Sequence, residues 1–245
     1  MSSAQAEAIL AELAAVERER QRRAADPALA ARVTAIKRYQ QQRLAESYAD
    51  LRATPRYREA TAFFLEELYG PGDFVQRDAQ FARIVPPTVR LFPAEVVDTV
   101  AALAKLHAIS ERFDTAMGAA LDEEPGSGGV SPAAYGRAWR AVGDAPGRER
   151  QIALLLQVGM ALDRHTRSRV LRASLHMMRV PARAAGLDAL QHFLERGFDA
   201  FGAMGGAREF MQQVGERERA LAARLFAGDS FAGDSSTGNS ATPAK

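Results

Sequence analysis

The run IALLLQVGMAL at positions 152–162 is apolar on every side of a helical wheel and is interrupted only by Gln157. It is longer than a typical strand and shorter than the ~20 apolar residues of a membrane span, so it predicts a helix buried among other helices. The rest of the chain agrees. Ala supplies 49 of the 245 residues against 14 Val and 5 Ile, a balance that favours helix over strand throughout. The expected fold is all-α: a multi-helix bundle with an N-terminal helical hairpin and a disordered C-terminal tail.

Element boundaries follow from caps and prolines. The central helix is expected to continue from the apolar run to Arg179, where Val180-Pro181 stops it. Two further helices, about 183–203 and 206–226, complete the fold. Upstream, Asp26-Pro27, Thr54-Pro55 and Ser131-Pro132 each set a capping side chain before a proline and read as helix starts. A first helix, about 3–24, and a second, about 27–53, should form an antiparallel hairpin. A third runs from Pro55 to Tyr69 and stops at Gly70-Pro71-Gly72; Asp73 and Gln76 then make a capping-box pattern for a fourth. Pro86-Pro87 is expected to break that fourth helix. A long helix covers about 94–122, the loop EEPGSGGVS occupies 123–131, and a short helix carries Trp139, the one tryptophan. From Ala227 the composition turns to Gly, Ser, Asp and Thr, with little left to bury. The division is a hairpin at 1–53, a core at 54–226 and a tail at 227–245.

Composition also narrows the chemistry. With no cysteine there is no disulfide, thiolate nucleophile or Cys-ligated metal, which fits a reducing compartment. The first residues, MSSAQAEAILAELAAVERER, lack a basic leader and carry Glu7 and Glu12 in the apolar stretch, so they make a poor signal peptide. A cytoplasmic location without a membrane partner is expected. Net charge is +2, too small for a protein-wide attraction to polyanions. Walker, dinucleotide and Gly-x-Ser-x-Gly patterns are lacking, and no cofactor is expected.

The segments FFLEELYGPGDFVQRD (63–78) and GLDALQHFLERGFDAFGAMGGAREF (186–210) resemble the two signature stretches of an uncharacterised all-helical bacterial family, a domain of unknown function. The resemblance spans about 30–226. It implies a helical fold and a bacterial source, and it carries over no activity and no site.

Three buried polar candidates, on two helices, and one surface emerge from helical wheels. Phe74, Asp78, Phe81 and Val85 share a stripe, which puts the Asp78 carboxylate on an apolar face, where it must be paired, protonated or serving a ligand. On the long helix, His107 and Asp114 fall on one side with Val96, Val100 and Leu103. They are about 10 Å apart along the axis, too far to share one metal ion, although His107 with Glu111 at i, i+4 is sterically possible. No metal site is expected. On the helix ending at Arg179, His165, Arg169, Arg172, His176 and Arg179 form a basic face, and no acid occurs between Asp163 and Asp188. These features favour a non-enzymatic helical interaction protein that uses the basic face to bind an acidic protein partner or to self-associate. One alternative is a small-ligand or metal-binding protein or enzyme with a polar site around Asp78, His107 and Asp114. Another is a polyanion binder; nucleic acid is disfavoured by the lack of interleaved aromatics.

Overall fold

The computed structural model describes residues 2–68, 74–125 and 128–228. Among these the chain forms twelve α-helices and one π-helical turn, and no strand. α1 (Ser2–Ala24) and α2 (Pro27–Ser47) meet at Asp26, whose carboxylate caps α2 by accepting from the Leu29 N–H at 3.0 Å. Then come α3 (Ala49–Ala53), α4 (Arg58–Phe63), the π-helical turn (Phe64–Leu68) and α5 (Val75–Leu91). The longest helix, α6 (Ala94–Ala120), precedes α7 (Pro132–Val142), capped by Ser131, and α8 (Ala145–Thr166), which contains the apolar run. α9 (Arg169–Met177), α10 (Arg179–Ala184), α11 (Asp188–Ala203) and α12 (Arg208–Ala227) finish the described chain. The Gly70-Pro71-Gly72 stop, the Asp73 cap and the tail beyond Gly228 lie outside the described residues.

α6 is the axis of the fold. Both arms of the hairpin lie along it, and α5, α7 and α8 pack against it as well. It is therefore buried on more sides than the single stripe expected: Val97, Ala102, Ala104, Leu106, Phe113 and Met117 are all inside. Alanine makes this possible, because a helix with small side chains lets several neighbours approach at once. α8 fills the next position, with Ile152, Leu155, Val158 and Ala161 buried and with α11 and α12 on its other sides. One apolar cluster runs from Ile9 in α1 through Phe81 and Leu155 to Val214 in α12, and a second joins Ile36, Met117, Tyr135, Trp139 and Leu225. Two long-range caps tie helix ends to this core. The Gln80 amide oxygen accepts from the Leu190 N–H in the first turn of α11 at 2.8 Å, and Asp163 accepts from the Ala207 N–H before α12 at 3.0 Å.

Several boundaries differ from the sequence expectation, each for an identifiable reason. The helix from 27 breaks at Tyr48, whose hydroxyl reaches Glu218 at 2.6 Å. Thr54-Pro55 makes a turn, not a helix start, and α4 begins after Tyr57 without a side-chain cap. The wider π turn that follows lets the consecutive Phe63 and Phe64 both enter the core, against Phe193, Phe201 and Phe210. α5 passes through Pro86-Pro87 unbroken, held by buried Val85, Thr88 and Val89 on either side of the prolines. The helix expected to reach Arg179 instead ends at Thr166. Ser168 starts α9 by accepting from the Leu171 N–H at 3.3 Å. Pro181 does not stop a helix; it sits in the first turn of α10, where its missing N–H costs nothing.

The tightest approach in the hairpin joint is Gly118 of α6 against α2, where an added Cβ would lie 2.4 Å from Val33 Cγ2 and 3.0 Å from the Val33 backbone nitrogen. Because backbone cannot swing aside as a side-chain tip can, Gly118→Ala should destabilise the protein by about 1–3 kcal/mol in urea titrations. Gly128→Ala, whose Cβ would meet nothing within 4 Å, is the control and should leave the midpoint nearly unchanged.

Candidate functional site

Asp78 and His107, assigned to different helices by their wheels, are brought together. α5 and α6 place His107 Nε2 at 2.7 Å from Asp78 Oδ2. An ionised carboxylate only accepts, so Nε2 carries the hydrogen. Arg20 of α1 donates to the same oxygen, and Arg77 Nε lies 3.5 Å from the other. Burial by itself would raise the Asp78 carboxyl; His107, Arg20 and Arg77 outweigh it and hold the pKa at about 2.

One turn along α6 a second cluster follows. Glu111 is buried and accepts from Arg23 of α1 and Lys37 of α2, each at 2.6 Å. Burial again pushes the carboxyl up, and Lys37 and Arg23 bring it below its ordinary value. Arg23 also donates to Thr115 Oγ1 at 2.8 Å. Asp114 does not join Asp78 and His107. It accepts from Gln40 at 3.2 Å and lies 3.7 Å from Lys37, and burial followed by the nearby Glu111 charge raises its pKa. Beyond it Arg148, 4% exposed, is clamped between the rings of Phe113 and Trp139 at 3.7 and 3.8 Å and donates to Gln151. Burial lowers its pKa. These groups form a polar seam along α6 in which cations from the hairpin meet acids from the core. Chemically the seam matches charges across a helix interface. Among the described residues, no group of three or more His, Asp or Glu side chains is arranged to hold a metal ion.

The basic residues are arranged differently from a single exposed stripe, because the helix that would carry them is broken at Arg167-Ser168. His165 is on the buried side of α8, with Nε2 at 2.9 Å from Thr99 Oγ1, and burial followed by Arg164 lowers its pKa. Arg172 and Arg179 turn toward α11, to Asp199 at 3.4 Å and Glu195 at 2.5 Å. Arg169 and His176 remain exposed. What the break turns outward is apolar: Val170 is 74%, Met177 73% and Val180 79% exposed, Met178 is half exposed, and α9 buries no residue at all. Arg169, which precedes Val170 on α9, and Arg183, three residues after Val180 on α10, are both exposed.

Sequence reasoning missed Arg20, Arg23 and Lys37, and also Asp163, which pairs with Arg167 at 2.8 Å while capping α12. It also missed the outward ridge. The one available signal for the ridge was Ser168, a good N-cap in the middle of a supposed helix.

The molecule is an all-helical domain with an internally paired polar seam and one apolar-and-basic arm. A family model described as a domain of unknown function (DUF8198) matches residues 19–232, and the chain belongs to that family. The match begins at residue 19, not near 30, so it takes in the last turn of α1 with Arg20 and Arg23. No curated protein and no solved structure matches the chain. No helix of the described residues is long and apolar enough to cross a membrane.

The depressed pKa of Asp78 fixes the sign of an acid effect. An unfolded aspartate titrates near 3.9, so the paired carboxylate contributes stability above that value and loses it as pH falls toward 2. The contribution should be on the order of 2 kcal/mol, and Asp78→Asn should both destabilise the protein at pH 7 and flatten the fall in stability between about pH 5 and 2, measured by urea unfolding across that range.

Proposed function

We propose that the protein is a bacterial, cytoplasmic interaction module, not an enzyme, and that it binds an acidic protein partner through α9 and α10. The observation that carries this reading is the exposure of Val170, Met177 and Val180 on a stretch of chain with no acid between Asp163 and Asp188. An exposed apolar ridge with Arg169 and Arg183 beside it is costly to leave wet and is the chemistry of a contact surface. Methionine suits such a surface, since its unbranched thioether adapts to the shape it meets. The reading keeps the acidic partner expected from the basic residues but moves the centre of the site from their stripe to the apolar ridge, with Arg169 and Arg183 beside it. The polar seam supports the same view from the other direction, because Asp78, His107 and Glu111 are engaged by neighbouring side chains.

The test compares the wild type with Val170→Ser/Met177→Ser/Val180→Ser. Exposed side chains contribute little to folding, so each replacement should change stability by no more than about 0.5 kcal/mol. A partner retained by the wild type in its source cells should be lost by the triple variant and released as salt rises to about 0.5 M, where exposed ion contacts are screened. Retention of every partner by the variant, or a stoichiometric small molecule released on denaturing the wild type, would overturn the proposal.

A further inference from the structure

The ridge has a length and a direction. Val170 and Met177 are seven residues apart on α9, so they lie on one line about 10 Å long, with Arg169 and His176 one position before each of them on the same flank. We infer that the occupant is an α-helix of a partner protein, apolar at i, i+3 or i+4 and i+7 and flanked by Asp or Glu, laid lengthwise on α9. The inference rests on the reading of α9 and α10 as the docking surface.

Four occupants are possible, and charge and shape decide among them. A second copy docked face to face would set Arg169 and Arg183 against their equivalents, with no acid on α9 or α10 to relieve them. Nucleic acid would satisfy the arginines but leave the ridge wet, and α9 and α10 carry no Phe, Tyr or Trp on which a base could stack. An anionic bilayer takes up an amphipathic arm through large apolar side chains, and Val170, Met177 and Val180 are not of that kind. The ridge lacks the Trp, Phe and Leu that lie at membrane interfaces. An acidic amphipathic helix meets none of these objections. Its apolar stripe covers Val170 and Met177 at matching spacing, and its carboxylates can take bidentate bonds from the flanking guanidinium groups.

The experiment places a photo-crosslinking amino acid at position 177 of the full-length protein, with position 157 on the exposed face of α8 as control, and irradiates source cells. The cross-linked segment is sequenced, synthesised as a peptide and titrated against the purified protein by fluorescence anisotropy. The segment should carry the acidic amphipathic pattern and gain helical circular dichroism on binding. Its Kd should weaken about tenfold or more with Met177→Glu and likewise with Arg169→Glu/Arg183→Glu, both checked for unchanged folding. A cross-link specific to position 177 but made to lipid, nucleic acid, a second copy or a segment without that pattern keeps the docking surface and overturns the helix. Labelling at 177 no greater than at 157 overturns both.

Discussion

The fold depends on placing charges where a helical core has no water for them. Glu111 sits in the middle of α6, and its two oxygens are taken by Arg23 from one arm of the hairpin and Lys37 from the other. An apolar interface between α6 and the hairpin would tolerate a shift of one turn with little change in area. A buried carboxylate does not, because sliding either arm would leave an unpaired charge inside, at a cost of several kcal/mol. Arg20 and Asp78 repeat the device one turn away and add α5 to the joint. The polar seam thus sets the register of four helices, while the apolar clusters around it supply most of the free energy.

How much of this could be read from the sequence depended on how local the cause was. The helices appear because alanine and apolar spacing act within a few residues, and Asp26 and Ser131 cap their helices through side-chain bonds three residues long. Asp78 announced itself by lying on an apolar stripe. Its partners could not, since an arginine on a hairpin looks the same whether it reaches water or a carboxylate fifty-eight residues away. The failures at Tyr48, Phe64 and Pro86-Pro87 have the same origin. In each, a contact from a distant element overrides a local preference: Glu218 holds Tyr48, Phe201 and Phe210 receive Phe64, and buried neighbours carry α5 through its prolines.

The arm at α9 and α10 departs from its sequence pattern for a subtler reason. On the wheel of one straight helix its basic residues make a stripe opposite the apolar side. A single capping serine resets the phase of that wheel, and the consequence is large. Arg172 and Arg179 become the means of attachment, anchored to Asp199 and Glu195 of α11, while the apolar side loses its place against the core. The same charges that suggested a binding stripe therefore hold the arm in the pose that exposes Val170 and Met177.

These two features use charge in opposite ways within one chain. In the seam Asp78, His107 and Glu111 are engaged by neighbouring side chains, while the buried Arg148 keeps Nε and one terminal nitrogen without a hydrogen-bond partner. The arm uses Arg172 and Arg179 for attachment to α11 and leaves Arg169 and Arg183 exposed. Since α9 buries no residue, replacements on its outer side should change folding little. That independence lets the outer side of α9 vary without disturbing the register that Glu111 and Asp78 impose on the core.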